Sequence, residues 1–109
     1  MNERLYAVMT TVETTDQARA LAAELVRRRL AACVSIGAPV ESVFPWEGRI
    51  DIEAEIPLTI KTAPERLDAL KQAFSELHPY DVPELLALGV VEGLDAYIDW
   101  AHDWMNNDD

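Results

Sequence analysis

The stretch IDIEAEIPLTI, residues 50–60, most constrains what this chain can become. Every even position from Ile50 to Ile60 is apolar, and every odd position from Asp51 to Thr59 is polar, acidic or proline. A period of two puts the apolar side chains on one face of a strand, so that face is expected to be buried. The extended pattern runs from about Arg49 to Thr62. At roughly 3.3 Å per residue it exceeds about 40 Å. A compact domain of 109 residues has a radius of gyration of about 13 Å, hence a diameter of about 35 Å. The strand is therefore longer than the domain that must hold it. Pro57 cannot donate to a neighbouring strand, which puts it at a sheet edge or at a bulge.

The other elements follow from periodicity and punctuation. Leu5 to Val12 (LYAVMTTV) is a compact β-prone run, read as the first strand. Thr14 with Gln17 three residues later fits a capping box. Ala18, Leu21, Ala22, Leu25, Val26 and Leu30 then recur at helical spacing, giving an amphipathic helix over about 15–30. Ala32 to Ile36 (ACVSI) returns to strand, Gly37-Ala38-Pro39 interrupts it, and Val40 to Trp46 resumes. Such an interruption reads as a kink or bulge. Gly48 in PWEGR marks a turn with positive φ.

Pro64 and Glu65 suit the start of a second helix striped by Leu67, Leu70, Phe74 and Leu77. Pro79 ends that helix at or before His78. Glu84 to Val91 is a short strand. Tyr97, Ile98, Ala101, Trp104 and Met105 mark a third helix, and the polar tail NNDD is expected to fray. The expected fold class is α+β: a ferredoxin-like β-α-β-β-α-β sandwich with a long hairpin over residues 32–62 and an extra C-terminal helix, as one domain over 1–109.

The hairpin tip carries Phe44, Trp46, Ile50 and Ile52. A lone two-stranded ribbon is marginal in water, and exposed apolar surface of this kind marks a partner interface. The hairpin is thus expected to pack on another copy of the chain. Composition narrows the partners further. Twenty acids against nine bases give a net charge of −11, which repels nucleic acid. The basic run Arg27-Arg28-Arg29 ends a helix pattern, where cations complement the dipole. No apolar run is long enough to span a membrane, and the N-terminal stretch has no secretory pattern. The single cysteine, Cys33, cannot form an internal disulfide and suits a reducing cytoplasm. It reads as a small buried hydrophobe rather than a reactive thiol.

Several separate stretches carry a resemblance to a known family. They are LAACVSI, FPWEGRI, IKTAPERL and above all LHPYDVPELLAL, followed by GLDAYIDW. With these in order over nearly its whole length, the chain resembles the CutA family of divalent-cation tolerance proteins. The resemblance implies a ferredoxin-like subunit and a tight homotrimer whose long hairpins pair across subunits. It also implies a likeness to the trimeric PII nitrogen-signalling proteins, with small-ligand binding in the subunit clefts as an analogy of architecture. Copper is the metal it suggests. The histidine of the family's HPY motif matches His78, the one candidate metal ligand here. Family copper binding also uses a histidine just before it and a cysteine at the end of the first strand. Leu77 stands at the first of those positions and Thr10 at the second. Neither is a copper-type ligand.

Each remaining candidate has a plainer role set against it. His78 reads more readily as a helix-end residue bonding a carbonyl or solvent than as a ligand. Tyr80 reads as a hydrogen-bonding residue near a subunit boundary. Trp46 reads as an interface anchor. His102, beside Asp99 and Asp103, is expected to be solvated, and Trp100 and Trp104 to be packing residues. Asp51, Glu53 and Glu55 share a strand face that is expected to be solvated but would accept a cation or a partner's arginine. There is no glycine-rich phosphate loop, nucleophile elbow or ligand-spaced His/Cys cluster. The reading is a cytoplasmic, non-enzymatic trimer in divalent-metal (copper) tolerance or small-ligand sensing. The alternatives are a structural trimer serving as a platform for another protein, and a small enzyme working in the subunit clefts.

Overall fold

A computed structural model describes residues 3–107. The elements in chain order are β1 (Leu5–Val12), α1 (Thr15–Arg27), β2 (Cys33–Ile36), β3 (Val40–Trp46), β4 (Arg49–Thr62), a short 3-10 turn (Pro64–Arg66), α2 (Leu67–Leu77), β5 (Leu86–Val90) and α3 (Asp95–Asn106). The expected order is observed, except that the interruption at 37–39 splits the expected second strand into β2 and β3. The sheet runs β2-β4-β1-β5, all pairs antiparallel, and β3 continues along β4 beyond the end of β2. This is a ferredoxin-like α+β fold. Of the tail NNDD, Asn106 closes α3 and Asn107 is extended, while the last two residues lie outside the described residues.

β4 organises the whole. Its C-terminal half lies between β1 and β2, with Ile60 opposite both Val8 and Val34. Its N-terminal half pairs only with β3, from Val40 opposite Glu55 to Trp46 opposite Arg49. The one-faced burial expected for 50–60 holds for Ile56, Leu58 and Ile60, which are buried, and fails for Ile50 and Ile52, which are 69 % and 62 % exposed. The same alternation serves two environments, because helices cover only the half of β4 inside the sheet. The arm stretches the molecule to 45 × 29 × 24 Å with a radius of gyration of 14.7 Å, above the about 13 Å of a compact chain this long.

Pro57 sits where the two partners of β4 meet. It faces Thr11 on one side, and on the other its carbonyl accepts from Gly37 N–H at 2.9 Å. Backbone N and C=O of one strand residue point the same way, so the missing donor of Pro57 faces the Gly37–Pro39 kink and interrupts no ladder. Gly37 is required there: a Cβ would meet Pro57 Cγ at 2.9 Å. At the tip, Glu47 (φ 48°) and Gly48 (φ 79°) both take left-handed conformations. Two such residues form the hairpin turn whose twist suits flanking strands.

The main core lies between the sheet and helices α1 and α2, with Val8, Val12, Leu21, Leu25, Ile60 and Phe74 at its centre. A second cluster joins α3, through Ile98, Ala101 and Met105, to Leu5, Ala32 and Ala63. α1 begins at the expected capping box: Thr14 Oγ1 accepts from Gln17 N–H, and Gln17 Oε1 accepts from Thr14 N–H, each at 3.1 Å. α1 ends three residues earlier than expected, at Arg27. Arg29 is left-handed at φ 60°, Leu30 N–H donates to Leu25 O, and Arg29 N–H donates to Val26 O. That pair of bonds is a Schellman closure, built here without glycine.

Two sequence expectations are corrected in α3. Trp100 is 53 % exposed and rests on Tyr97, with ring centroids 5.6 Å apart, whereas Trp104 is packed and donates Nε1–H to Val26 O. A spacing of four shares a helix face only roughly, and here the two rings fall on either side of its edge. His102 is only partly solvated: its Nε2 donates to Arg4 O at 2.7 Å and its Nδ1 lies 3.5 Å from Glu65. The entrance to β1 and the 3-10 turn thus each supply it a partner.

Candidate functional site

Pro79 forces His78 out of the helix into an extended conformation (φ −78°, ψ 136°). The imidazole thereby turns inward under β1 and is only 7 % exposed. Both ring nitrogens are engaged. Tyr80 N–H donates to Nδ1 at 3.2 Å. Nε2 lies 3.0 Å from the Thr11 carbonyl and 3.1 Å from Thr10 Oγ1. A carbonyl only accepts, so Nε2 carries the ring proton and Nδ1 the lone pair. Burial holds the His78 pKa below its ordinary value, against the raising effects of the Thr11 carbonyl and the Glu55 charge. The ring also lies between two aromatic neighbours, with centroids 5.3 Å from Phe74 and 5.0 Å from Tyr80.

These residues do not suit a metal. Metal-bound imidazole needs a free lone pair, and in this tautomer the one lone pair is covered by Tyr80 N–H. Thr10 meets the histidine but offers a hydroxyl, a poor ligand for copper. Leu77 packs against the main core. Among the described residues, no group of three or more His, Cys, Asp or Glu is arranged to hold a metal ion. Cys33, half-buried on β2, is not among the contacts of His78.

What the sequence did not announce is the use made of Tyr80. Its hydroxyl donates to Glu55 Oε2 at 2.8 Å, and Thr11 Oγ1 donates to the same oxygen at 3.1 Å. Burial first, then the Glu55 bond and charge, push the Tyr80 phenol well above its ordinary pKa. A groove of about 580 Å³ opens beside this pair, lined by Thr11, Phe44, Trp46, Glu55, Tyr80 and Glu84 among others. A second hollow of about 420 Å³ shares Phe44, Trp46, Glu55 and Tyr80 and adds Asp51, Glu53 and Arg49. The acidic face of β4 is thus only partly solvated. Glu55 is fixed by two donors, Asp51 accepts from Arg49 Nε at 3.1 Å, and Glu53 is exposed.

Apolar surface surrounds the groove and continues past it. Val43 and Trp46 on the arm are 64 % and 57 % exposed. On the face of the sheet opposite Val8, Met9, Leu86 and Leu88 are exposed as well, Met9 being paired with Leu86. No helix among the described residues is long and apolar enough to cross a membrane.

Comparison with known proteins agrees with this geometry. Residues 6–104 match the family described as CutA1 divalent ion tolerance protein. The chain is 41 % identical over 93 residues to the divalent-cation tolerance protein CutA of Thermus thermophilus, covering 85 % of this chain and 90 % of that one. It is 40 % identical to the chloroplastic protein CutA of Arabidopsis thaliana, of which it spans 51 %. Among solved structures, CutA from Synechococcus elongatus superposes with a TM-score of 0.91 at 40 % identity, over 95 % of this chain and 92 % of that one. CutA from Xylella fastidiosa does so with 0.91 at 33 % identity, over 94 % and 98 %. With a profile that spans nearly the whole chain, matching relatives and a matching fold, the chain belongs to the CutA1 divalent ion tolerance family.

Proposed function

We propose that this protein acts as a cytoplasmic, non-enzymatic homotrimer in divalent-cation tolerance, responding to a small ligand or cation held in the grooves beside Tyr80 and Glu55. One observation supports the trimer: the β3-β4 arm, which no helix covers, exposes Val43, Ile50 and Ile52 on one face and Trp46 on the other. Burying such side chains contributes about 1.5–3 kcal/mol each, and a second copy of the same arm supplies a matching surface. Trp46 and Phe44 also line the groove wall, which supports a ligand site near the subunit boundary of such an assembly. Light scattering at micromolar concentration tests the assembly. A monomer refutes it, and Ile50→Asp is expected to shift a trimer toward smaller species.

Copper binding through His78 is the least supported part of the family picture for this chain, since Leu77 and Thr10 give it no partners. Calorimetric titration with Cu(II) of the wild type and His78→Ala tests this directly. Micromolar binding that disappears in the variant restores His78 as a ligand. The exposed Val91, Leu94, Tyr97 and Trp100 favour a second reading, in which the assembly serves as a platform for another protein.

A further inference from the structure

Four residues from three parts of the chain, β1, β4 and the segment after α2, close a ring of hydrogen bonds. His78 Nε2–H donates to the Thr11 carbonyl, and Thr11 Oγ1 donates to Glu55 Oε2. Tyr80 OH donates to the same carboxylate oxygen, and Tyr80 N–H returns to His78 Nδ1. Thr11 and Tyr80 play matching parts. Each meets the imidazole with a backbone group and the carboxylate with its hydroxyl. The roles in the circuit are forced, the two hydroxyls having to donate because the carboxylate only accepts. The carbonyl and the carboxylate only accept, the amide only donates, and the neutral imidazole does one of each. The circuit closes only while the ring proton is on Nε2.

We propose that His78 in this chain is a positioning residue: its imidazole sets Tyr80 and Thr11 so that Glu55 presents its second carboxylate oxygen to the groove as a fixed anion. Glu55 Oε1 takes no hydrogen bond among the described residues. An anion held this way costs little to reorganise when a positively charged group arrives. The class of occupant is a cationic group on a small ligand, flanked by Trp46 and Phe44, whose ring faces attract cations. The same wiring accounts for the poor fit to copper. A metal at Nε2 would need the proton moved to Nδ1, where it would oppose Tyr80 N–H and open the circuit. The inference rests on the groove reading above, but the histidine's part in it is measurable without any ligand.

The test is NMR of the full chain. The ¹⁵N ring signals of His78 are expected to report the neutral Nε2–H tautomer, unchanged in Tyr80→Phe, which keeps the backbone amide. Equimolar Cu(II) is expected to leave those signals sharp. Amide exchange at Tyr80 is expected to speed up about tenfold or more in His78→Leu, with β1 and α1 amides unaffected. His78→Asn, whose side-chain oxygen can accept from Tyr80 N–H, is expected to recover most of the protection, and it covers the case in which the leucine variant folds poorly. An Nδ1–H tautomer, selective broadening of His78 by Cu(II), or unchanged exchange at Tyr80 in both variants would each overturn the proposal. If titration with agmatine, a small dication, then leaves the groove signals of the intact wild type unmoved, the cationic-ligand reading fails while the circuit stands.

Discussion

Arg29 offers a test in which the usual order of two substitutions is reversed. It occupies the left-handed position of the closure after α1, at φ 60°. Its guanidinium stacks 3.7 Å from the centroid of the Trp104 ring, and Nη1 donates to Trp104 O at 3.0 Å. Arg66 donates to the next carbonyl, Met105 O. α3 has no basic residue in its own last turn, so the cations that complement its C-terminal dipole come from other elements. Arg29→Ala removes a charge-assisted bond, about 1.5–3 kcal/mol, and a cation–π contact of about 0.5–1 kcal/mol. Partial exposure places the total at the lower end, about 2–3 kcal/mol. Arg29→Gly loses the same contacts but relieves a left-handed strain of about 1–2 kcal/mol. Against that stands the extra freedom glycine gives the unfolded chain, about 0.4–1 kcal/mol. Glycine should therefore be the more stable of the two by about 0.5–1 kcal/mol, the opposite of the order inside a helix. Urea unfolding at one fixed protein concentration measures both. An alanine variant as stable as the glycine one would refute the left-handed assignment. Two variants indistinguishable from wild type would refute the clamp on α3.

Gly37→Ala places a methyl 2.9 Å from the Pro57 ring. It should cost about 1–3 kcal/mol by overpacking, while Gly89→Ala, whose methyl meets the flexible Glu3 side chain from Cγ outward rather than a closed ring, should cost less in the same urea assay because that side chain can turn away. The neutral, buried His78 makes stability fall as pH drops below about 6.5, because the unfolded chain then takes up a proton that the folded chain resists. Unfolding midpoints between pH 7.5 and 5 should show this slope in the wild type and lose part of it in His78→Leu. Glu24, held down at about 2 by bonds to Arg27 and Arg28, stabilises above its ordinary 4.5 and loses that contribution as pH falls toward 2. Glu24→Gln should flatten the acid limb over that range.

The element order was legible because its signals are local. Alternation over Ile50 to Ile60, the Thr14–Gln17 capping box and Pro79 after α2 each act within a few residues. What escaped is set by contacts distant in sequence. Nothing near Arg29 signals a helix stop without glycine; its stacking partner is 75 positions away. His102 pairs with the carbonyl of a residue 98 positions earlier. Of the site, the sequence presented His78 and Tyr80 as neighbours in a motif. Their joint hold on Thr11 and Glu55 depends on where the sheet register puts β1 against β4. That register sets Val12 opposite Ile56, one residue beyond each of the two circuit members.

β4 also bears on how the molecule fails. Its fourteen residues run without a break from the arm into the centre of the sheet. The arm therefore has no joint of its own. It cannot swing away without bending the strand that carries Ile56, Leu58 and Ile60 beneath the helices. Whatever grips Trp46 and Ile50 pulls on the same rod that holds the core, so loosening at the tip is felt under α1.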